Sequence, residues 1–361
     1  MTLTQPQPIS DSELPRPNAH TASYAEILRT VKAHGLLGRR RDFYIAFGVI
    51  LLIALGGLFT ASVFIGQSWW QLALAAALGI IFTQFAFLGH ELAHRQVFES
   101  GKLNDKFGNV IAHFLVGISY SWWMNKHSRH HTHPNQVGKD PDIESSVVVF
   151  YPEQKMGGGA FQRFVSKRQG WLFFPLLTLE GLNLQIQGIK RAFTDAKADN
   201  RVLEPILLFA RHLVLIGFAF LVMGPWIGLA FLGVYTAVFG VYMGASFAPN
   251  HKGMPIIPAE QKVDFLQRQV LTSRNIRGNR FMDILMGGLN YQVEHHLFPN
   301  MPRPALHKAA KIVKEYCRTH NIPYTETSLL ASYGIVVSYL NRVGLSARDP
   351  FDCPVAQAAG R

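Results

Sequence analysis

The chain has 361 residues, 48% of them hydrophobic and only 16% charged, with a formal net charge of +12 at pH 7. Soluble domains carry roughly 25% charged residues, so an ordinary water-soluble domain is excluded. Only Cys317 and Cys353 occur, far apart in sequence, which argues against a disulfide framework, a zinc ribbon or an internal iron–sulfur cluster.

In chain order, residues 1–21 are polar and proline-rich with no apolar signal-peptide segment, and they read as disordered. Ala22 to Arg41 reads as a basic amphipathic helix lying on the membrane. Tyr44 to Gly66 and Trp70 to Gly89 are uncharged runs. Each is long enough to cross a bilayer, which takes about 20 apolar residues. The short Gln67-Ser68-Trp69 link makes them a helical hairpin, whose second helix continues past Gly89. Phe107 to Trp123 is apolar but interrupted by Asn109 and His113, which suits a re-entrant or interfacial segment. A mixed stretch runs to about residue 200, within which Trp171 to Leu184 is apolar enough for the interface.

The third candidate span, Glu204 to Met223, carries Arg211 and His212. An arginine at a helix centre costs about 2.5–3.5 kcal/mol on insertion scales. Surrounding leucines or a carboxylate near the inner surface are expected to offset it. The fourth span is Trp226 to Ala248, after a Gly224-Pro225 turn. A basic amphipathic helix follows over Pro302 to Thr319, another near Glu326 to Arg342, and then a loose tail. The expected fold is an all-α integral membrane protein with about four transmembrane helices and a cytosolic helical cap. It divides into 1–43, a 44–325 core and a 326–361 helix with tail. Both short turns lack Lys and Arg, whereas Arg39, Arg40 and Arg41 precede the first span. The positive-inside rule therefore puts both termini in the cytoplasm, with the basic face toward anionic lipid or acidic partners.

The chemistry lies in the histidines, fifteen in all. His90 and His94 are four apart; His127, His130 and His131 follow a HxxHH spacing; His251 ends the fourth apolar run; His295 and His296 close a QxxHH stretch begun by Gln292. Residues i, i+3 and i+4 share a helix face, and neighbours about 100° apart on a helix can serve two different metals. Imidazole is the commonest side-chain ligand for transition metals. Eight such residues exceed the four ligands of one zinc, so two metal ions are indicated. An even number of spans separates the clusters, which puts them on one side of the membrane. His90-Glu91-Leu92-Ala93-His94 also matches the HExxH zinc-protease pattern, with Glu91 as general base, but that reading leaves six histidines unexplained. Glu91, Asp140, Asp142 and Glu294 are candidate acceptors for the second N–H of a ligating imidazole. His133 precedes a helix-breaking Pro134 and suits hydrogen bonding; His113 and His212 suit structural roles; His20, His34, His307 and His320 suit the surface. Trp122 and Trp123 are candidates for lining an apolar channel or anchoring at the interface.

HELAH, HSRHH and NYQVEHHLFP, in this order across a four-span layout, resemble the three histidine boxes of the membrane-bound fatty acid desaturases. The resemblance covers roughly residues 40–325, and the glutamine opening the third box resembles the front-end branch and related bacterial enzymes. Ala248-Pro249-Asn250-His251 is similar to the family's extra ligand segment. The resemblance implies two irons bound by His90, His94, His127, His130, His131, His251, His295 and His296, with Gln292 a weak ligand or a hydrogen-bonding residue. It implies insertion of a cis double bond into a long-chain acyl group, carried on a glycerolipid or CoA, using dioxygen and two electrons. The sequence has no nucleotide, flavin or cysteine-cluster motif and no His-Pro-Gly-Gly motif. A separate donor is therefore implied, a ferredoxin with its reductase or a cytochrome-type protein, and no nucleic-acid partner. The implied setting is a bacterial cytoplasmic membrane. A histidine-rich hydroxylase of alkanes, sterols or carotenoids is the alternative.

Overall fold

The computed structural model describes residues 24–145, 147–154, 159–194 and 202–346. The N-terminal stretch expected to be disordered, His20, the expected loose tail and Cys353 lie outside them. In chain order the helices are α1 (Tyr24–Ala33), α2 (Arg41–Ile65), α3 (Gln71–Ala93), α4 (Gly101–Val110), α5 (Tyr120–Thr132), α6 (Ala160–Ser166), α7 (Gln169–Thr194) and α8 (Leu203–His251). They continue as α9 (Phe265–Leu271), α10 (Arg280–Leu285), α11 (Gln292–Leu297), α12 (Arg303–Thr319) and α13 (Leu329–Ser346). A π-helical turn, Ile111–Val116, extends α4. Among the described residues the fold departs from purely helical at a short strand pair and at an isolated parallel bridge between Gln136 and Ile257. β1 (Arg274–Ile276) and β2 (Thr325–Thr327) pair in parallel, Arg274 opposite Thr325.

Among the described residues, three helices, α2, α3 and α8, are long and apolar enough to cross a membrane. Their outer faces remain bare: Ile53 and Phe64 on α2 and Leu221 on α8 are all exposed, as expected of lipid-facing side chains. The hairpin between α2 and α3 is closed by polar bonds. Ser62 Oγ donates to Gln71 Oε1 at 2.7 Å, and Gln71 Nε2 donates to the carbonyls of Ser62 (2.7 Å) and Gly66 (2.9 Å). Helix α8 is not continuous. Gly224 stands at φ 73°, ψ 173°, a conformation essentially restricted to glycine, and Pro225 follows. The two arms fold back on each other, because a Cβ on Gly228 would lie 2.9 Å from the Ala219 carbonyl oxygen. Gln67 of the first turn sits beside Gly224, so both turns occupy the same end of the bundle. Exposed Trp69, Trp70 and Trp226 gather at these turns, the usual place of interfacial aromatics.

Arg211 does not meet a carboxylate. It is buried, donates to Tyr235 Oη at 3.2 Å, and lies 5.1 Å from the Phe82 ring centroid; of the two expected offsets, leucines or a carboxylate, the second is replaced by a hydroxyl and an aromatic face. The stretch Trp171–Leu184, expected at the interface, is part of the longer helix α7. Helix α7 runs so close to the second arm of α8 that a Cβ on Gly181 would lie 2.2 Å from the Thr236 carbonyl. Small residues allow such backbone approach in membrane helices. Helix α1 is shorter than expected and buries Ile27 and Val31 in a second core with Ala309 and Val313 of α12, so its apolar stripe faces protein. Helix α13 buries Val336, Leu340 and Val343 against Phe173 and Leu177 of α7.

Candidate metal centre

Each histidine cluster rides on a helix end. Helix α3 ends at Ala93, placing His90 on its last turn and His94 at its cap. Ser119 Oγ caps α5 by accepting from Trp122 N at 3.2 Å, which starts the helix in register for His127, His130 and His131. His251 is the last residue of α8, and His295 and His296 sit on α11. His133 caps the end of α5 and stays outside the clusters.

The eight histidines converge as two groups. One ring nitrogen each from His90, His94, His127, His131 and His295 lie within 4.8 Å of one another, and so do those from His130, His251 and His296. Adjacent residues on α5 and on α11 divide between the groups, as the roughly 100° step of a helix requires. In the first group, His127 Nε2 lies 3.0 Å from His90 Nε2 and 2.8 Å from His94 Nε2, and His131 Nε2 lies 3.1 Å from His295 Nε2. In the second, His130 Nε2 and His251 Nε2 are 3.3 Å apart. Rings of His131 and His296 stack at 4.3 Å and join the groups.

Protonation follows from surroundings. Burial, reinforced by neighbouring imidazoles, pulls the proton affinities of His127, His131, His295 and His296 well below the ordinary range, and burial takes His94 to about 3. Neutral imidazoles offer lone pairs. In the second group the tautomers are legible. His130 Nδ1 faces Asp140 Oδ1 at 3.1 Å, His251 Nδ1 faces the Thr272 carbonyl at 2.9 Å, and His296 Nδ1 faces Gln269 Oε1 at 2.9 Å. All three partners are acceptors, so each Nδ1 carries the proton and, in the neutral ring, each Nε2 is a bare lone pair. His296 Nε2 is buried without any partner. Nitrogens bound to one metal at about 2.1 Å stand roughly 3 Å apart when adjacent, so the donor set fits a cation. His130 expresses the same demand: burial disfavours its charged form, but Asp140 and Asp142 outweigh that and raise its proton affinity.

The four acids fall in different places. Asp140 meets His130 Nδ1, and Asp142 Oδ2 lies 3.5 Å from the same atom while pairing with Lys126 at 2.8 Å. Glu91 instead forms a buried two-pronged pair with Arg303, Nε to Oε1 at 2.6 Å and Nη2 to Oε2 at 2.8 Å. That arrangement leaves no free carboxylate for the general base of a zinc protease. Glu294 accepts from Asn275 Nδ2 at 2.7 Å and Tyr324 Oη at 2.9 Å, and burial pushes it up to about 7. Gln292 Nε2 lies 2.9 Å from His251 Nε2. Sequence reasoning missed Gln269, the Thr272 carbonyl and Arg303. The first two lie outside any histidine box, and Arg303 reads as one cation among several on a basic helix.

The remaining histidines stay apart. His113 Nε2 accepts from Tyr120 N at 3.1 Å and lies 3.1 Å from Glu204. His212 Nδ1 bonds the Leu208 carbonyl, His34 and His307 are exposed, and His320 stacks on Tyr316. An apolar pocket of about 430 Å³, open mouth included, is lined by His90, Ala86, Gly89, Ile111, Val116, Tyr120, Trp123, Met243 and Phe247. Trp123, on its wall, stacks on His127 at 4.5 Å.

A helical membrane protein with two buried clusters of imidazoles, the first of them reached by an apolar pocket at His90, is thereby defined. The chain belongs to the fatty acid desaturase family, whose model matches residues 67–328. It is similar to an acyl-lipid (9-3)-desaturase of Physcomitrium patens, 29% identical over 286 residues, 77% of this chain and 54% of the relative. Similarity extends to the Delta(6)-fatty-acid desaturase fat-3 of Caenorhabditis elegans, 28% identical over 287 residues, 76% of this chain and 65% of the relative. Delta(8)-fatty-acid desaturase 2 of Arabidopsis thaliana is 28% identical over 319 residues, covering 84% and 69%. The chain thus spans between about half and two-thirds of the length of these relatives.

Proposed function

We propose that this protein is a fatty acyl desaturase that introduces a double bond into a long-chain acyl group. The observation that carries this is the meeting of the apolar pocket with the nitrogen clusters at His90. His90, His94, His127, His131 and His295 would hold one iron, and His130, His251 and His296 the other. When bound, the irons supply the dioxygen chemistry that removes two hydrogens from neighbouring methylenes, beyond the reach of acid–base side chains. The protein does the rest. Apolar walls hold the chain, Trp123 and Phe247 keep water from His90, and Asp140, Gln269 and the Thr272 carbonyl fix the imidazole tautomers.

The four-crossing reading, with α8 counted as two arms, is supported by the break at Gly224 and by Gln67 lying beside it. It puts the clusters at the face opposite the two turns, the cytoplasmic side by the positive-inside rule. Two electrons per turnover come from a separate donor. The names of the relatives favour insertion toward the carboxyl end of the acyl group. Expression in a host with lipid profiling tests the proposal: a new unsaturated acyl chain is expected, and it disappears with His295→Ala while the protein stays in the membrane. A hydroxylated product instead identifies the hydroxylase; activity retained in His295→Ala overturns the site.

A further inference from the structure

We propose that Gln292 is not a metal ligand but a hydrogen-bond donor facing the second cluster, locked in that orientation by Asn250. This rests on the two-iron reading above. Gln292 opens the third box where its amide oxygen has the choice of turning toward the cluster or away from it. The buried neighbours decide. Asn250 Nδ2 lies 3.1 Å from each of the Ser246 carbonyl, the Leu289 carbonyl and Gln292 Oε1. Two of those partners are backbone carbonyls, which accept and cannot donate, so the nitrogen of Asn250 belongs where it is. Reversing Asn250 would set its oxygen against both carbonyls. Its own Oδ1 faces no donor, so reversal would gain nothing.

With Asn250 presenting N–H, Gln292 must present its oxygen to Asn250 and its NH2 to the other side. There its nitrogen lies 2.9 Å from His251 Nε2, a lone pair because His251 Nδ1 gives its proton to the Thr272 carbonyl, and one that can take this N–H only while no metal uses it. The two hydrogens of Asn250 Nδ2 are then shared among three acceptors, the Ser246 and Leu289 carbonyls and Gln292 Oε1, and no donor along Asn250, Gln292, His251 and Thr272 faces another donor. Turning Gln292 to aim its oxygen at the cluster would put two NH2 groups face to face at 3.1 Å and break the Asn250 bond. Both amides are fully enclosed, with Asn250 at 0% and Gln292 at 2% exposure, so water cannot repair the mismatch. The two clusters are consequently unequal: five imidazoles in the first, three in the second, and beside the three an N–H donor in place of a further ligand.

Iron content and iron(II) affinity of the full-length purified protein test this, with Gln292→Met, a side chain of similar length without an amide, and Gln292→Leu as a second variant should the first not fold. His296→Ala serves as the reference for a lost ligand. The proposal expects two irons per chain in Gln292→Met, as in the parent, with affinity for the more weakly held ion lowered by less than about tenfold, because the lost N–H competes with the metal for the His251 Nε2 lone pair, unlike an outer-shell partner that supports a ligand and whose loss costs roughly 10–100-fold. A fall to one iron, or a loss beyond tenfold, overturns it. If the parent protein itself holds no iron, the two-iron reading fails and this proposal with it.

Discussion

The buried pair of Glu91 and Arg303 ties the first histidine box to the segment after the third, and its removal has a calculable effect. The two side chains are 3% and 4% exposed. Arg303 N also donates to Tyr44 Oη at 2.9 Å, Tyr44 Oη donates to Gln96 Oε1 at 2.9 Å, and Gln96 Nε2 donates to the Pro299 carbonyl at 2.8 Å. Deleting one member of such a pair strands a buried charge and costs about 3–5 kcal/mol, whereas replacing both by apolar groups of similar size is often neutral. Because Arg303 Nη1 already lacks a partner, the lower end, about 3 kcal/mol, applies. Glu91→Met should be the worse single change. It strands a guanidinium that cannot shed its proton, though the Phe47 ring 4.9 Å away remains to cover it. Arg303→Met strands a carboxyl group that can take one up. The double variant should recover at least about 2 kcal/mol over either single variant. Unfolding of detergent-purified protein by titrated sodium dodecyl sulfate measures all three. A double variant no more stable than the weaker single variant would refute the coupling.

Removing an acceptor behind the second cluster should weaken metal binding rather than folding. Gln269→Leu frees His296 Nδ1 of its partner and should lower iron affinity about 10–100-fold; unchanged affinity in an iron titration counts against the tautomer assignment. Ala86→Phe places a ring in the pocket beside His90 and should suppress product while leaving the iron content intact, so loss of iron would show the pocket and the centre are not separable. Acid should destabilise the metal-free protein. His94 is neutral when folded down to about 3 but titrates near 6.5 when unfolded. The unfolded state therefore binds more protons between those values, and stability is full above about 6.5 and is lost as pH falls toward 3. His127, His131, His295 and His296, lowered likewise by burial, steepen the slope. A thermal unfolding midpoint that stays level from pH 7.5 to pH 5 would contradict this.

What the sequence made legible was periodic or repeated. Uncharged runs located α2, α3 and the second arm of α8, the apolar run around Arg211 located the first arm, and helix spacing allowed His130 and His131 to join different groups, as the structure has them. Contacts between distant segments were opaque. Nothing near Arg211 in sequence marks Tyr235 and Phe82 as its partners, since they come from other turns of the bundle. Arg303 looked like a solvated helix charge because its sequence neighbours are basic, yet its burial is set by Glu91, 212 residues away. Strands β1 and β2 are too short for an alternating pattern and form because they meet. Amide orientation at Gln292 depends on two backbone carbonyls, which no side-chain motif encodes.

Charge placement around the histidines has a chemical consequence. Of the four acids near them in sequence, Glu91 is neutralised by Arg303, Asp142 pairs with Lys126, and Glu294 is pushed up to about 7 among hydrogen-bond donors. Asp140 accepts from Asn135 N and Asp142 N and also faces His130 Nδ1 at 3.1 Å, and through His130 it bears on the second cluster. A metal ion in the first cluster would face five imidazole nitrogens with no carboxylate grouped with them among the described residues, whereas one in the second would face three, one made more basic by Asp140. Neutral ligands leave the charge of a bound cation largely uncompensated, while a carboxylate behind the ring offsets part of it. The two positions would thus differ in electron affinity as well as ligand number. The asymmetry originates in side chains outside the histidine boxes, Asp140 and Asn250, rather than in the boxes themselves.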